Sequence, residues 1–345
     1  MKLKTVTPFL PDTLVSVGHG VFTGCSLLEG DVTLSNPNLV ELTGELGTGI
    51  SSLGLFMGTS ITSFDASASG VTALPDKAFN NCTALKSVKL PETLVTVGWD
   101  AFAGCTALTS VKLPETIRVL YQGVFYKCTA LEDLGTMTFA SLEYLGKGVF
   151  YNTPKLTGKM AFTNPNLVWV DSTQDDLATF WQTGITELDL SESGITSLGK
   201  SDIRKCPNLV KVTLPKTLVA LNYGATFAED EALVDIVFNS FPTNLASFAD
   251  HFYKTPNLNG NPANYAARVC YPRGDEGWEK FIAENGTFVP YAEATDAQKQ
   301  GYAQAWPGAR RPSGYLTFAP DAQYGNVTKW LVPVSVKTGM ILFLR

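Results

Sequence analysis

The sequence predicts a solenoid of stacked coils, mainly β with short helical or 3-10 turns. Three observations predict it. A phenylalanine recurs at a near-constant step, a cysteine keeps register just after it, and a proline-terminated LxxVxL segment follows. The segments ALPDKAFNNCTALKSVKL (73–90), TVGWDAFAGCTALTSVKL (96–113) and VLYQGVFYKCTALEDL (119–134) show all this, with Phe79, Phe102 and Phe125 evenly spaced. Self-similarity at such a period is the signature of a repeat array, which grows in one dimension and so escapes the usual limit on domain length.

The frame extends both ways. The anchor position is held by Phe22, Phe56, Phe79, Phe102, Phe125, Phe150, Phe180, Ile203, Phe227 and Phe252, at steps of 34, 23, 23, 23, 25, 30, 23, 24 and 25. These make about ten coils of roughly 23–25 residues, within the range of leucine-rich repeats. At about 4.8 Å per coil the stack is expected to run roughly 45–50 Å. A leucine usually follows at the sixth position after the anchor; the units at Phe56 and Phe180 place Ile61 and Ile185 one position earlier. A longer repetition overlies the short one. Residues 20–42 align with 148–170 at an offset of 128, and SGVTAL (69–74) with SGITSL (193–198) at 124, so a five-unit block is duplicated.

Each part of the unit has a physical reading. In Leu85-Lys-Ser-Val88-Lys-Leu90 the alternation of Val88 and Leu90 sends both side chains to one face of a short strand. One such face cannot be buried alone; parallel stacking of coils joins the faces into one core. Pro91, Pro114 and Pro215 end the strands, because proline donates nothing to a ladder. The run Thr93 to Gly98 reads as a second extended piece whose glycine permits a tight bend, and AFxxC as one helical or 3-10 turn that points Phe inward.

The pattern LPxTLxxVGxxAFxxCTALxSVxL, clearest from Leu74 to Leu134, resembles the BspA-like bacterial leucine-rich repeat family. The resemblance spans about residues 10–290. It implies a leucine-rich-repeat solenoid, exported to the surface of host-associated bacteria, found also in some protists, and engaged in adhesion and binding of host proteins. It also implies that VCYPRGDEGWEKFIAENGTFVPY (269–291) is the closing unit of the array. The expected division is 1–260 for the solenoid with its two duplicated five-unit blocks, 261–291 for the C-terminal cap, and 292–345 for a helix plus β appendage. In that last part Thr295 starts a helix to about Trp306, and TFAPD, WLVPVSV (330–336) and MILFLR (340–345) read as strands.

Composition bounds the function. Charged residues are 17% of the chain, net charge is −6, and the nearest thing to a basic stripe, Arg310-Arg311, is isolated, which argues against nucleic acid. No apolar run reaches the roughly 18 residues that a membrane-spanning helix needs, so no transmembrane segment is expected. Pro8, Pro11 and Asp12 interrupt any signal-like stretch after Lys2 and Lys4; Met1 is expected to open a shortened or mature form whose export signal has been removed.

Candidate chemistry is sparse. Cys25, Cys82, Cys105, Cys128 and Cys206 share one coil position, which other units fill with Thr59, Thr153, Thr183, Asp230 or Thr255. Stacked coils bring their Cα atoms near bonding distance with parallel Cβ vectors, which favours a buried free-thiol ladder over a disulfide pair. No CxxC occurs, which leaves a metal site weaker still. His19 and His251 fall in the first and last units of the array, too far apart for a shared dyad. Gly47-Thr48-Gly49 lacks the third glycine of a dinucleotide fingerprint. Asp171, Asp175 and Asp176 lack the glycine and glutamate of an EF-hand loop and read as a solvated loop. No catalytic residue, cofactor or metal is assigned.

One feature points outward. Directly after the anchor, three consecutive units carry Tyr126, Tyr151 and Trp181. Their two readings are an aromatic stripe that binds a protein or sugar ring, and mutual packing across coil edges. The expected function is therefore a non-enzymatic, secreted or cell-surface recognition scaffold for a protein or glycan ligand, which the resemblance implies to be host-derived. The alternatives are a structural spacer presenting the C-terminal region and an accessory module of carbohydrate-processing machinery.

Overall fold

The computed structural model describes residues 13–42, 53–169, 177–222, 225–230, 232–233, 235–245, 268–272, 275–278, 280, 289–290, 316–317 and 332–336. Every unit makes three sides in turn: the anchor turn, the LxxVxL strand, and a two-residue strand. On the LxxVxL side, Glu29–Thr33, Ser60–Asp65, Ser87–Lys89 and Ser110–Lys112 pair in parallel. Thr138–Phe139, Gly158–Phe162, Ile185–Asp189, Lys211–Thr213, Asp235–Val237, Arg268–Pro272 and Val332–Val336 form a second parallel sheet of seven. The seam lies at residues 133–139, where Asp133 makes a single bridge to Ser110 and Gly135 turns the strand aside at φ +79. The two-residue strands stack likewise, five from Ala73–Leu74 to Val168–Trp169 and three from Ser197–Leu198 to Asn244–Leu245.

The early isoleucines have a structural consequence. Opposite Glu29–Thr33 the register skips Thr62, and opposite Gly158–Phe162 it skips Thr186. Each skipped residue is a β-bulge one position after Ile61 or Ile185. From Ile61 to Phe64 and from Ile185 to Leu188 the step is the same as from Leu85 to Val88, so Phe64 and Leu188 still reach the core, and the bulge is made against the preceding strand alone. It occurs once per duplicated block, at the offset of 124 seen in the sequence.

The anchor turn is a third hydrogen-bonded ladder. N–H groups two before, at, and two after the anchor donate to the next coil: Lys77 to Trp99 O (2.7 Å), Phe79 to Ala101 O (2.7 Å) and Asn81 to Ala103 O (2.8 Å). Aiming alternate N–H groups this way places left-handed residues on both sides of the anchor, as at Lys77 and Asn81 (φ 57 each) or Asp100 (φ 52) and Gly104 (φ 75). The helical or 3-10 turn expected over AFxxC is thus a run of separate turns closed by bonds such as Cys82 N–H to Phe79 O.

Anchors point inward as expected. Phe22, Phe56, Phe79, Phe102, Phe125, Phe150 and Phe180 stack face to face at 4.8, 5.5, 5.2, 5.6, 6.0 and 5.5 Å. Nine anchors, Phe22 to Phe227, are described and enclose about eight complete turns. The tenth expected anchor, Phe252, lies outside the described residues, so the count is eight turns where the sequence predicts about ten coils.

Gly98 has a different role from the bend expected of it. It is not left-handed. A Cβ there would stand 2.5 Å from Asp76 N and 2.6 Å from Pro75 C, so the glycine serves close approach of coils rather than a bend. Gly98→Ala is expected to cost about 1–3 kcal/mol by overpacking against backbone that cannot yield, read as a lower urea midpoint. An unchanged midpoint would show that the coils separate freely there.

At the far end Trp278 is fully buried and meets Phe238 and Phe241 edge-on at 5.0 and 5.2 Å, in a short helical segment whose Asp275 carboxylate accepts Trp278 N–H (3.0 Å). Arg268–Pro272 precedes it as a strand. The helix expected from Thr295, the strand expected at 340–345, His251, Asp171, Asp175, Asp176, the Gly47–Gly49 stretch and Arg310-Arg311 lie outside the described residues.

Candidate functional site

The residue after the anchor lies on the turn side, partly exposed in most coils and buried where it is Ala103 or Ala228. Its carbonyl accepts from the preceding coil: Lys127 N–H donates to Tyr151 O (2.8 Å) and Asn152 N–H to Trp181 O (2.7 Å). Side chains at this position are therefore held one coil apart, which suits ring stacking. Tyr126 and Tyr151 stack at 4.7 Å, with planes 28° apart, and Tyr151 and Trp181 at 4.5 Å, 19° apart. All three are half-buried. The same column holds Thr23, Met57, Asn80 and Ala103 before them and Arg204 and Ala228 after, so the aromatic run fills three consecutive coils among the described residues.

Ammonium groups stand at the two ends of the stack. Lys127 Nζ lies over the Tyr126 ring at 4.9 Å, and Lys205 Nζ over Trp181 at 5.2 Å. Tyr151 is covered by a ring on each side. The stack thus has its faces taken and presents ring edges to solvent. Lys205 and Arg204 also meet the Glu229 carboxylate. No basic stripe shows in the sequence because Lys127 and Lys147 are far along the chain from the group Lys200, Arg204 and Lys205. By coil position, Lys127 and Lys205 share the place two after the anchor, and Lys147 and Lys200 the place three before it.

A second aromatic pair was missed from sequence. Tyr121 and Tyr144, on the side of the two-residue strands, are 5.4 Å apart and tilted. Partial burial, then the neighbouring Tyr121, push the Tyr144 phenol up. The signal was available: Tyr121 takes the place that Gly98 and Gly146 hold in neighbouring coils.

The cysteine column makes its own contacts. Cys82, Cys105, Cys128 and Cys206 are buried free thiols, and Cys25 is a half-buried one. Each buried sulfur donates to the anchor carbonyl of the preceding coil: Cys82 to Phe56 (3.0 Å), Cys105 to Phe79 (3.1 Å), Cys128 to Phe102 (3.0 Å) and Cys206 to Phe180 (2.9 Å). That carbonyl already accepts an N–H from its own coil, as Phe79 O does from Cys82, so both its lone pairs are used. Threonine can satisfy an anchor carbonyl too, as Thr153 does with Phe150 O (2.9 Å), which accounts for the sharing of the position. Burial pushes the Cys105, Cys128 and Cys206 thiols up, away from the reactive thiolate. Among the described residues no group of three His, Cys, Asp or Glu is placed to hold a metal ion, and no helix is long and apolar enough to cross a membrane.

On the strand side, charges alternate along part of the seven-stranded sheet. In register, Lys159, Glu187, Lys211 and Asp235 alternate in sign from strand to strand. Lys159 pairs with Asp189 (2.7 Å) and Lys89 with Asp65 (3.1 Å). Opposite charges on adjacent strands support the seven-stranded sheet, whereas in the four-stranded one Lys89 stands opposite Lys112.

Comparison with known proteins places the fold among leucine-rich repeats. A model of the BspA type leucine rich repeat region, in six copies, matches residues 51–169 and 173–260. Among solved structures, a leucine-rich repeat protein from Bacteroides ovatus is 20% identical, with a TM-score of 0.38 over 79% of each chain. The leucine rich repeat protein of T. pallidum is 22% identical, with a TM-score of 0.33 over 53% of this chain and 69% of that one. A leucine rich cell surface protein from Faecalibacterium prausnitzii is 14% identical, with a TM-score of 0.33 over 70% of this chain and 81% of that one. No curated protein matches. The chain belongs to the BspA-type leucine-rich-repeat family.

Proposed function

We propose that the chain is a non-enzymatic recognition scaffold, secreted or held at the cell surface, that binds a protein partner through the ridge of Tyr126, Tyr151 and Trp181. The array of residues 1–260 is the working surface in this reading, 261–291 closes it, and 292–345 is an appendage. The observation that carries the proposal is the three-ring stack left half-exposed over consecutive coils. Aromatic side chains held rigid lose little entropy on binding and are common anchors at protein interfaces. Of the two ligand classes expected from the sequence, protein is favoured over glycan, because a sugar ring stacks on an aromatic face and these faces are covered by one another and by Lys127 and Lys205.

The test is binding of the chain to a panel of extracellular matrix proteins and glycans, beside the Tyr126→Ala/Tyr151→Ala/Trp181→Ala variant with its melting curve checked. At least one protein is expected to bind and to bind the folded variant at least tenfold more weakly. Equal binding by both would remove the ridge from the interface. Binding of glycans alone would overturn the choice of partner, and no binding by either chain would return the array to the role of spacer.

A further inference from the structure

We infer that the partner segment seated on this side of the array is an acidic polypeptide; the inference rests on the reading of the ridge as a recognition site. It comes from charge, which that reading did not use. The chain carries a net charge of −6, yet the turn at Phe125 holds Lys127, that at Phe150 holds Lys147 and that at Ile203 holds Lys200, Arg204 and Lys205, with the uncharged Phe180 turn between them. Among the described residues the carboxylate within those four turns is Asp202, which is fully buried, with Oδ2 accepting Gly199 N–H (2.7 Å). Glu229, one coil on, is engaged by Arg204 and Lys205. Among the described residues Lys127 and Lys147 enter no ion pair, and Lys127 is exposed with its ammonium beside the ring stack. Stacking thus gathers Lys127, Lys147 and the group Lys200, Arg204 and Lys205, which are about 20 and 50 residues apart along the chain, into one local patch of sign opposite to the chain's own.

The shape of the patch selects among anions. A nucleobase is bound by stacking on an open aromatic face, and these faces are taken. What remains is a row of ring edges, which carry the positive end of the aromatic quadrupole, together with ammonium groups. Both favour carboxylates approaching side-on. Four coils span roughly 15 Å, the length of about four or five residues of extended chain, so a short run of Glu or Asp reaches from one end of the patch to the other. The turn ladder holds the backbone beneath in fixed register, so the row is presented without reordering.

The experiment uses the full chain and a labelled octaglutamate peptide, with a neutral Gly-Ser octapeptide, an octagalacturonate and an octathymidylate as comparison probes. Octaglutamate is expected to bind saturably, with an affinity that falls as salt rises, and Lys127→Glu/Lys147→Glu is expected to weaken it at least tenfold. A control on the strand side, Lys86→Glu/Lys112→Glu, removes the same charge and is expected to leave affinity within twofold. No saturable binding of octaglutamate, or equal loss in the control, overturns the inference. Equally tight binding of octagalacturonate or octathymidylate overturns the choice of polypeptide. The two readings fail separately. A panel partner lost on the aromatic variant, yet indifferent to salt and to Lys127→Glu/Lys147→Glu, leaves recognition standing and sinks the acidic partner. A panel partner lost on both variants supports both.

Discussion

Phe102→Ala is expected to lower stability by about 3–5 kcal/mol, the usual cost of emptying a buried aromatic site. Phe102 is fully buried, stacks on Phe79 at 5.2 Å with planes 2° apart, and on Phe125 at 5.6 Å and 8°. The geometry adds a qualitative expectation. In a one-dimensional array each coil is held by its two neighbours, so a void in one coil weakens both interfaces together. Urea unfolding followed by circular dichroism should therefore show a lower midpoint and a broadened or two-step transition, as coils on either side of the gap unfold apart. The neighbouring repeats carry their own control. Ile203 replaces the ring at one anchor and is itself fully buried, so an aliphatic chain fills the site acceptably there. Phe102→Leu should accordingly cost less than about 1.5 kcal/mol and keep one transition. A cost for Phe102→Ala of under about 1 kcal/mol, well below the usual range, would make the ring spine incidental to the stack.

The spine was legible in the sequence because period and chemistry coincide: a ring at the same place in nearly every repeat has nowhere to go but inward. The strands were legible for the same reason, Val88 and Leu90 recurring as Val111 and Leu113. The turn was not. Lys77, Lys127 and Lys205 adopt left-handed backbone that residues of their type seldom take. That conformation is imposed by the ladder to the next coil, a constraint spread over two units and invisible within one. Gly98 was misread similarly, since its neighbour is Asp76 of another coil rather than its own turn. At the candidate site the column of Tyr126, Tyr151 and Trp181 followed from counting after the anchor. The sequence left outward display and mutual packing as alternatives, and the rings in fact do both, half-exposed and stacked. Whether a lysine would cap each end of the stack depended on side-chain reach, which no spacing encodes.

Asp230 predicts a pH dependence that runs opposite to that of most acidic groups in a fold. It occupies the cysteine column, is fully buried, and its Oδ1 accepts Cys206 N–H (2.7 Å). That bond is needed because the Ile203 turn, unlike those at Phe79 or Phe102, leaves this N–H for a carboxylate instead of its own anchor carbonyl. Oδ2 is buried and has no hydrogen-bond partner among the described residues. Burial, and then the nearby Glu229, raise the carboxyl well above the ordinary carboxylate range, against the opposing effects of the Cys206 N–H and Arg204. In the folded state the proton is therefore kept at pH values where the unfolded chain has lost it. Stability from this group is fully present at low pH and declines once pH passes the unfolded value near 3.8, by about 1.4 kcal/mol per pH unit until the folded group itself ionises. Asp230→Asn keeps an acceptor for Cys206 N–H and removes the titration. The expected result is a variant close to the parent near pH 4 and progressively more stable than it toward neutrality, the gap widening with that slope. Asp100 is also raised by burial and contributes the same sign in both proteins, so it cancels in the difference. Asp65 and Asp189 are lowered and act only as pH falls below the carboxylate range. Denaturation midpoints of both proteins from pH 4 to 8 decide it. A constant gap would mean that Asp230 is already ionised inside the fold. A gap that narrowed with rising pH would mean that the charged carboxylate is the stabilising form, with Arg204 its partner in preference to Glu229.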